Sequence, residues 1–214
     1  MFGLPETTYF DRNVPKNKFY EKLDIDKKLE RSFIDQISSI RWLHKLSADT
    51  LNVEKGSIVD EVEVFLIKLK TSELDLNVLR QMDKQLHYHL IFILEAEDQY
   101  QIWTGYKEES TNTAFKVGNY YHTDLVSEDS FTLRIDGLNM DTVYENLVRQ
   151  IAGNELAKEN NESLKETVER QTEREKLEKE IEKLRAKIRK EKQFNRQVEM
   201  NKQLKKLLKG LEEL

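Results

Sequence analysis

Two groups of residues in this 214-residue chain have side chains that could bind a metal ion. His87 and His89 are separated by one residue, so both imidazoles would face the same side of a strand, although a metal site also needs a third ligand. Glu61, Glu63 and Lys68 lie along one apolar stretch. Metal-dependent nucleases use carboxylates and a lysine on a central strand to hold Mg²⁺ and orient water. No carboxylate stands beside Lys68 where such a site needs one, so we predict no metal site.

A third group surrounds His122, which is the strongest single candidate for a general base. Asp124 is close enough in sequence to orient its imidazole, and Tyr120 and Tyr121 precede it. We treat Tyr120, Tyr121 and His122 as a candidate functional loop. No nucleophile can be identified beside them, and the isolated glycines form no phosphate-binding loop. The sequence therefore predicts no catalytic residues and no cofactor, and we expect a protein that is not an enzyme.

The elements that would position these residues follow from hydrophobic spacing. The stretch 61–70 is apolar on both faces in its middle, as in a central strand that is covered on both sides. Helices and strands interleave, which predicts an α/β or α+β body consisting of a mixed sheet with flanking helices. The predicted helices cover about 26–40, 75–86 and 140–151, and the predicted strands cover 40–46, 61–70, 89–97, 100–106 and 131–135.

Two parts of the body lack a regular pattern. The first 25 residues contain Pro5 and Pro15, which disfavour regular structure nearby, so we expect an irregular arm that wraps onto the body. The polar and aromatic stretch 107–128 contains Gly118 and Asn119, which indicate a turn.

Charge and composition divide the chain into two domains, an α/β body at 1–154 and a charged tail at 155–214. The body has 18 Lys and Arg residues against 26 Asp and Glu residues, a net charge of −8, whereas the tail has 17 against 14. An acidic body repels phosphates, so any nucleic-acid contact would have to come from the tail. The absence of cysteine excludes disulfides and thiolate chemistry. With no visible signal peptide and no bilayer-spanning apolar stretch, we expect a cytoplasmic protein without a membrane partner.

The charge of the tail is sorted along its length. Residues 155–182 carry 6 basic and 10 acidic side chains, a net charge of −4, whereas residues 183–209 carry 11 basic and 2 acidic side chains, a net charge of +9. About half of the tail is ionised, and its leucines recur at helical spacing, which is typical of a long solvated helix. The sorting indicates an interaction partner.

Two apolar seams run along the tail, and each follows a heptad pattern. They consist of Leu177, Ile181, Leu184 and Ile188, spaced at 4, 3 and 4, and of Met200, Leu204, Leu207, Leu211 and Leu214, spaced at 4, 3, 4 and 3. The 12-residue step between them would turn the second seam by about 120° from the first on one helix. A turn between about Glu191 and Arg196 would fold the tail into a helical hairpin or coiled coil. The alternative is one continuous helix with partners on two sides.

A hairpin would gather the basic side chains at its tip. We name as the basic tip Lys183, Arg185, Lys187, Arg189, Lys190, Lys192, Phe194 and Arg196. Such a cluster could contact an acidic protein surface or the phosphates of a nucleic acid, because both contacts need little more than charge. The alternative is a solvated helix face whose charges pair with the acidic half of the tail.

Three stretches together resemble a bacterial family known as domain of unknown function 4391. They are Met1–Pro5, Ala114–Thr123 and Gly137–Gly153, and the charged tail fits as well, so that the resemblance spans nearly the whole chain. It implies a genomic setting beside helicases of the Swi2/Snf2 type and DNA methyltransferases, in loci that look like restriction or phage-defence systems. It implies no catalytic residues.

We therefore expect a non-catalytic accessory or docking protein, possessing an α/β body and a helical hairpin that binds its partner. The partner would be a helicase or methyltransferase subunit, or a second copy of the chain. One alternative is a divergent or degenerate metal-dependent nuclease. The other is a DNA-binding protein that uses the basic tip.

Overall fold

The computed structural model describes residues 1–21, 25–109, 115–157 and 162–214. The chain divides into two compact units, Met1–Gly153 and Asn154–Leu214. Within the described residues, no helix is both long enough and apolar enough to cross a membrane.

Within the residues that the structure describes, the first unit contains six strands and four α-helices. The strands are β1 (Tyr9–Asn13), β2 (Ile37–Ser47), β3 (Glu61–Leu69), β4 (His89–Ala96), β5 (Gln99–Glu109) and β6 (Phe115–His122). The helices are α1 (Lys27–Gln36), α2 (Ala48–Leu51), α3 (Leu76–Gln85) and α4 (Met140–Ala152). The second unit contains α5 (Leu164–Lys190) and α6 (Phe194–Glu212).

The strands form one sheet in which spatial order follows chain order, β1-β2-β3-β4-β5-β6. Neighbouring strands are antiparallel except β3 and β4, which are parallel and are connected through α3. A parallel pair needs such a crossover, because the chain has to return to the end of the sheet where the first strand began before it can run in the same direction again. The predicted mixed sheet with flanking helices is confirmed, and the fold belongs to the α+β class.

Both faces of the sheet are covered, which explains the unbroken apolar run of β3. On one face, Phe65 and Phe92 stack with ring centroids 6.4 Å apart, in a core to which α1 and α3 also contribute. Alternation along β4 directs Ile91 and Ile93 to the opposite face, and both are buried. There α4 lies against β5 and β6.

Local signals fix the ends of the helices. Asp26 and Asp75 accept the backbone N–H groups of Leu29 and Asn77 at the starts of α1 and α3, as acidic N-caps do. Asn139 and Thr142 form a capping box at α4. Each cap satisfies a backbone donor that the helix itself leaves unpaired.

The predicted irregular arm is wrong in its centre, because Tyr9–Asn13 pairs with β2 as the first strand of the sheet. The predicted strand at 131–135 is also wrong. Leu133 is buried, and its N–H donates to Phe2 O at 2.9 Å. The apolar spacing of this segment therefore reflects burial against the body, and the segment does not form a strand. The expected turn at Gly118 and Asn119 lies inside β6.

The tail forms a helical pair, so the hairpin prediction is confirmed and the single continuous helix is wrong. Only three residues, 191–193, separate α5 from α6. No Pro or Gly makes this turn. The Glu191 carboxylate accepts the N–H groups of Lys192 and Gln193 at 2.8 Å, and the Gln197 side chain donates to Glu191 O at 2.7 Å. Glu191 thus holds the turn and places negative charge at the start of α6, where the helix dipole favours it.

Candidate interaction surface on the helical pair

The structure separates the two histidines of the candidate metal site. His87 is exposed, whereas His89 is buried with its ring 4.3 Å from that of Tyr144. Burial, and secondarily the charge of Lys107, lowers the pKa of His89 to about 3, so that the imidazole is neutral. In the described part of the chain, no group of three or more His, Asp or Glu residues could hold a metal ion.

The carboxylates and lysine of the nuclease alternative also have separate partners. Glu61 pairs with Lys45 at 2.8 Å, and Lys68 pairs with Glu95 at 2.8 Å. Glu63 is only 3% exposed. Burial, followed by repulsion from Glu61, raises the pKa of Glu63 to about 7. The structure therefore does not bring these three side chains to one point.

The candidate functional loop lies on strand β6, so its side chains alternate between the faces of the sheet. Tyr121 is buried, whereas the Tyr120 hydroxyl donates to the Asp83 carboxylate. The exposed His122 ring lies 4.1 Å from that of Trp103. These contacts support the sheet, and the structure does not form an aromatic loop here.

The structure contains a buried ion pair that the sequence did not predict. Lys107 Nζ lies 3.0 Å from Asp83 Oδ1, and both side chains are fully buried. Lys107 also donates to the backbone oxygens of Leu86 and Tyr88 just beyond the end of α3. A lysine here satisfies carbonyls that the helix leaves unpaired and complements the negative end of its dipole. The pair therefore fastens the end of α3 to strand β5.

Charge and burial act against each other in this pair. Burial raises the pKa of Asp83 and lowers the pKa of Lys107, whereas the opposite charge of each partner acts in the other direction. Burial also raises the pKa of Tyr120, which keeps its phenol protonated as a donor to Asp83. One feature of the sequence pointed to this pair. Position 83 places an acidic residue next to the apolar face of α3, and a purely solvated helix face does not explain an acid there.

The helical pair, by contrast, exposes its candidate residues. All eight residues of the basic tip are exposed, and Phe194 retains 76% of its accessible surface. They occupy the last turns of α5, the three-residue turn and the start of α6. The tip is therefore a cluster of cations with one aromatic side chain in water.

The seam residues are incompletely covered. Ile181 is buried, and the other eight are half-buried, namely Leu177, Leu184, Ile188, Met200, Leu204, Leu207, Leu211 and Leu214. Each helix of a two-helix pair has one neighbour, whereas helices of a four-helix bundle have at least two. The pair thus leaves part of an apolar seam facing solvent.

A groove of about 810 Å³ runs between α5 and α6, and we call it the lysine groove. It is lined by Lys176, Lys179, Glu180, Lys183, Leu184, Lys187, Gln203, Lys206 and Leu207. Residues from both helices line it, which shows that α6 returns alongside α5. Five of the nine lining residues are lysines and only Glu180 is acidic. Within 162–214, Lys179 approaches Glu175 at 3.7 Å, whereas Lys183, Lys187 and Lys206 have no carboxylate in ion-pair distance.

Comparison with known protein families finds a match over nearly the whole chain. The model of the family described as Domain of unknown function (DUF4391) matches residues 2–211, which is nearly the whole chain. Comparison with curated proteins and with solved structures finds no match.

We predict that Lys107→Met lowers the free energy of unfolding by about 3–5 kcal/mol, because it leaves a buried carboxylate without its cation. Urea unfolding followed by tryptophan fluorescence measures this. The control is Lys68→Met, which removes an exposed ion pair that water already screens and which should have a much smaller effect. Equal losses in the two variants would contradict the role given to Lys107.

We also predict that Glu63 makes stability depend on pH. Its pKa is raised to about 7 in the folded state, so the folded state holds a proton that the unfolded state releases above about pH 4.5. Stability should therefore fall as pH rises from about 4.5 to 7. Glu63→Gln should flatten this slope and stabilise the protein at pH 8 by roughly 1–3 kcal/mol. Urea unfolding at pH 5 and pH 8 tests the effect, and an unchanged difference between the two pH values would refute it.

Proposed function

The chain belongs to this family, and we propose that it is a non-catalytic accessory protein whose helical pair docks a protein partner. The observation that carries the proposal is the uncovered lysine groove beside an exposed basic tip. Apolar surface rimmed by polar residues marks sites of protein interaction. Here the rim is cationic and the apolar part follows a heptad seam, which is the pattern that helix-to-helix contacts use.

The body supports the proposal because its polar and titratable side chains make contacts within the fold. Lys107 and Tyr120 both bond to the Asp83 carboxylate. Among the histidines, His89 packs on Tyr144 and His122 packs on Trp103. Each of these groups has a contact that stabilises the fold. A docking function requires a rigid body and places no further demand on these side chains.

We further propose that the partner is a helicase or DNA methyltransferase subunit of a restriction or phage-defence system. The support is the genomic setting that the family resemblance implies. Such a partner would act on DNA in the cytoplasm, which is where we place this chain. The protein would then reach DNA through its partner.

A second candidate function is direct binding of DNA by the basic tip. The observation that favours it is the exposure of seven cationic side chains close to one turn. Phosphate contacts require charge and reach, and long lysine and arginine side chains supply both. The two functions differ in what the tip contacts, so one set of variants separates them.

We predict that substituting Lys187, Arg189 and Lys190 by glutamate reduces the recovery of the partner by about tenfold or more, because close charge pairs at an interface are reversed into repulsion. Tagged full-length protein would be purified from its native host and its companions measured by mass spectrometry. The matched control reverses Lys27, Lys28 and Arg31, three exposed cations of α1. It changes net charge equally, and it should retain the partner.

The same proteins test the DNA alternative. Direct binding predicts that the full chain binds a 20-base-pair duplex. The tip variant should then lower the slope of log affinity against log salt by about 3, since each lost phosphate contact contributes about 0.9. Docking predicts weak binding that both variants reduce alike. A partner retained equally by the tip variant and the control would overturn docking through this surface.

A further inference from the structure

We propose that the lysine groove receives an acidic amphipathic helix of the partner protein. This inference rests on the proposed docking function and adds the chemistry and secondary structure of the segment that binds. It concerns the groove between α5 and α6, which is distinct from most of the basic tip. The groove has a volume of about 810 Å³, which is enough to receive several side chains.

The floor of the groove favours a helix with aliphatic anchors. Leu184 of α5 and Leu207 of α6 both line it, and both remain half-buried. A third helix can place aliphatic side chains between them at intervals of three and four residues, as amphipathic helices do in apolar grooves. No aromatic side chain lines the groove, whereas single-stranded nucleic acids bind mainly by stacking bases on aromatic rings. The floor therefore fits leucine-like anchors better than bases.

The rim specifies the charge of that helix. Lys176, Lys179, Lys183 and Lys187 follow one another at spacings of 3, 4 and 4, so they form a line along one face of α5. Eleven residues of α-helix extend over about 16 Å, which is three turns. A helix lying in the groove would present carboxylates at the same one-turn interval. Lys206 adds a cation from the opposite wall.

The same charges disfavour a second copy of the chain as the occupant. Two copies that joined groove to groove would bring lysine rims together, and like charges across an interface are strongly unfavourable. Residues 183–209 have a net charge of +9, so the repulsion persists wherever these segments of two copies meet. Charge complementarity thus indicates another protein with an acidic face.

The test measures binding of synthetic 21-residue peptides to the full-length protein by fluorescence anisotropy. The probe peptide has leucines in a heptad pattern flanked by glutamates. One control peptide replaces the glutamates by lysines, and another replaces the leucines by alanines. We expect the probe peptide to bind, with an affinity that falls as salt rises. Both control peptides should bind at least tenfold more weakly.

A pair of matched variants localises the binding. Lys183→Glu combined with Lys206→Glu reverses one rim cation on each helix. Lys165→Glu combined with Lys205→Glu makes the same change of charge, once on each helix, at exposed positions outside both the groove lining and the basic tip. The rim variant should bind the probe peptide at least tenfold more weakly and should gain affinity for the lysine peptide, whereas the control variant should behave like the parent. Circular dichroism checks helicity, and Lys183→Gln with Lys206→Gln replaces any variant that loses it.

The inference would be overturned if the probe peptide did not bind, or if the rim and control variants lost equal affinity for it. It would also be overturned if duplex DNA displaced the peptide, or if sedimentation experiments showed that self-association of the protein displaced it. Failure here is distinguishable from failure of the proposed function. A partner that is lost from the tip variant in cells, while the peptides ignore the groove, would keep docking and reject the acidic helix as its occupant.

Discussion

A charge inside a protein has to be paired, because removing an isolated ion from water costs far more than a fold of this size can recover. In the first unit this constraint falls on Lys107 and Asp83. Much of the nearby geometry follows from it. Strand β5 shifts register between Gly105 and Lys107, and the Tyr144 hydroxyl donates to Gly105 O at the shift. Position 105 must be glycine, since a Cβ there would lie 2.9 Å from the Asp83 carboxylate and from the Tyr120 ring.

The sequence predicted those parts of the fold whose periodicity is a direct consequence of burial. Hydrophobic spacing predicted the central strands, α3, α4 and the helical pair in this way, and it also predicted the break in the tail. Strand Tyr9–Asn13 was not, because an edge strand of mixed polar and aromatic residues is stabilised by its neighbour more than by its own composition. The Asp83–Lys107 pair was missed for a related reason. Its members are 24 positions apart and resemble surface charges until the sheet brings them together.

The candidate surface shows the same limit. Heptad spacing and charge sorting pointed to four of the nine residues that line the lysine groove, namely Lys183, Leu184, Lys187 and Leu207. The exposed tip followed from a turn placed by register. Spacing along one helix, however, does not say which residues of two helices face the same groove. Leu184 and Leu207 line one groove only because of the turn that Glu191 holds. The two units thus use polar residues in opposite ways: the first pairs them internally, and the second presents them to solvent.

A strand order equal to chain order has a consequence for synthesis on the ribosome. Each strand can pair with the preceding one as soon as it emerges, which is the low-contact-order route that favours fast folding. Contacts between distant segments must wait. The Phe2–Leu133 backbone bond and the Asp141 carboxylate, which accepts three successive N–H groups at 57–59, join early residues to late ones. Neither involves a residue of the last sixty. The nascent chain can therefore complete its sheet without α5 and α6, which are translated last.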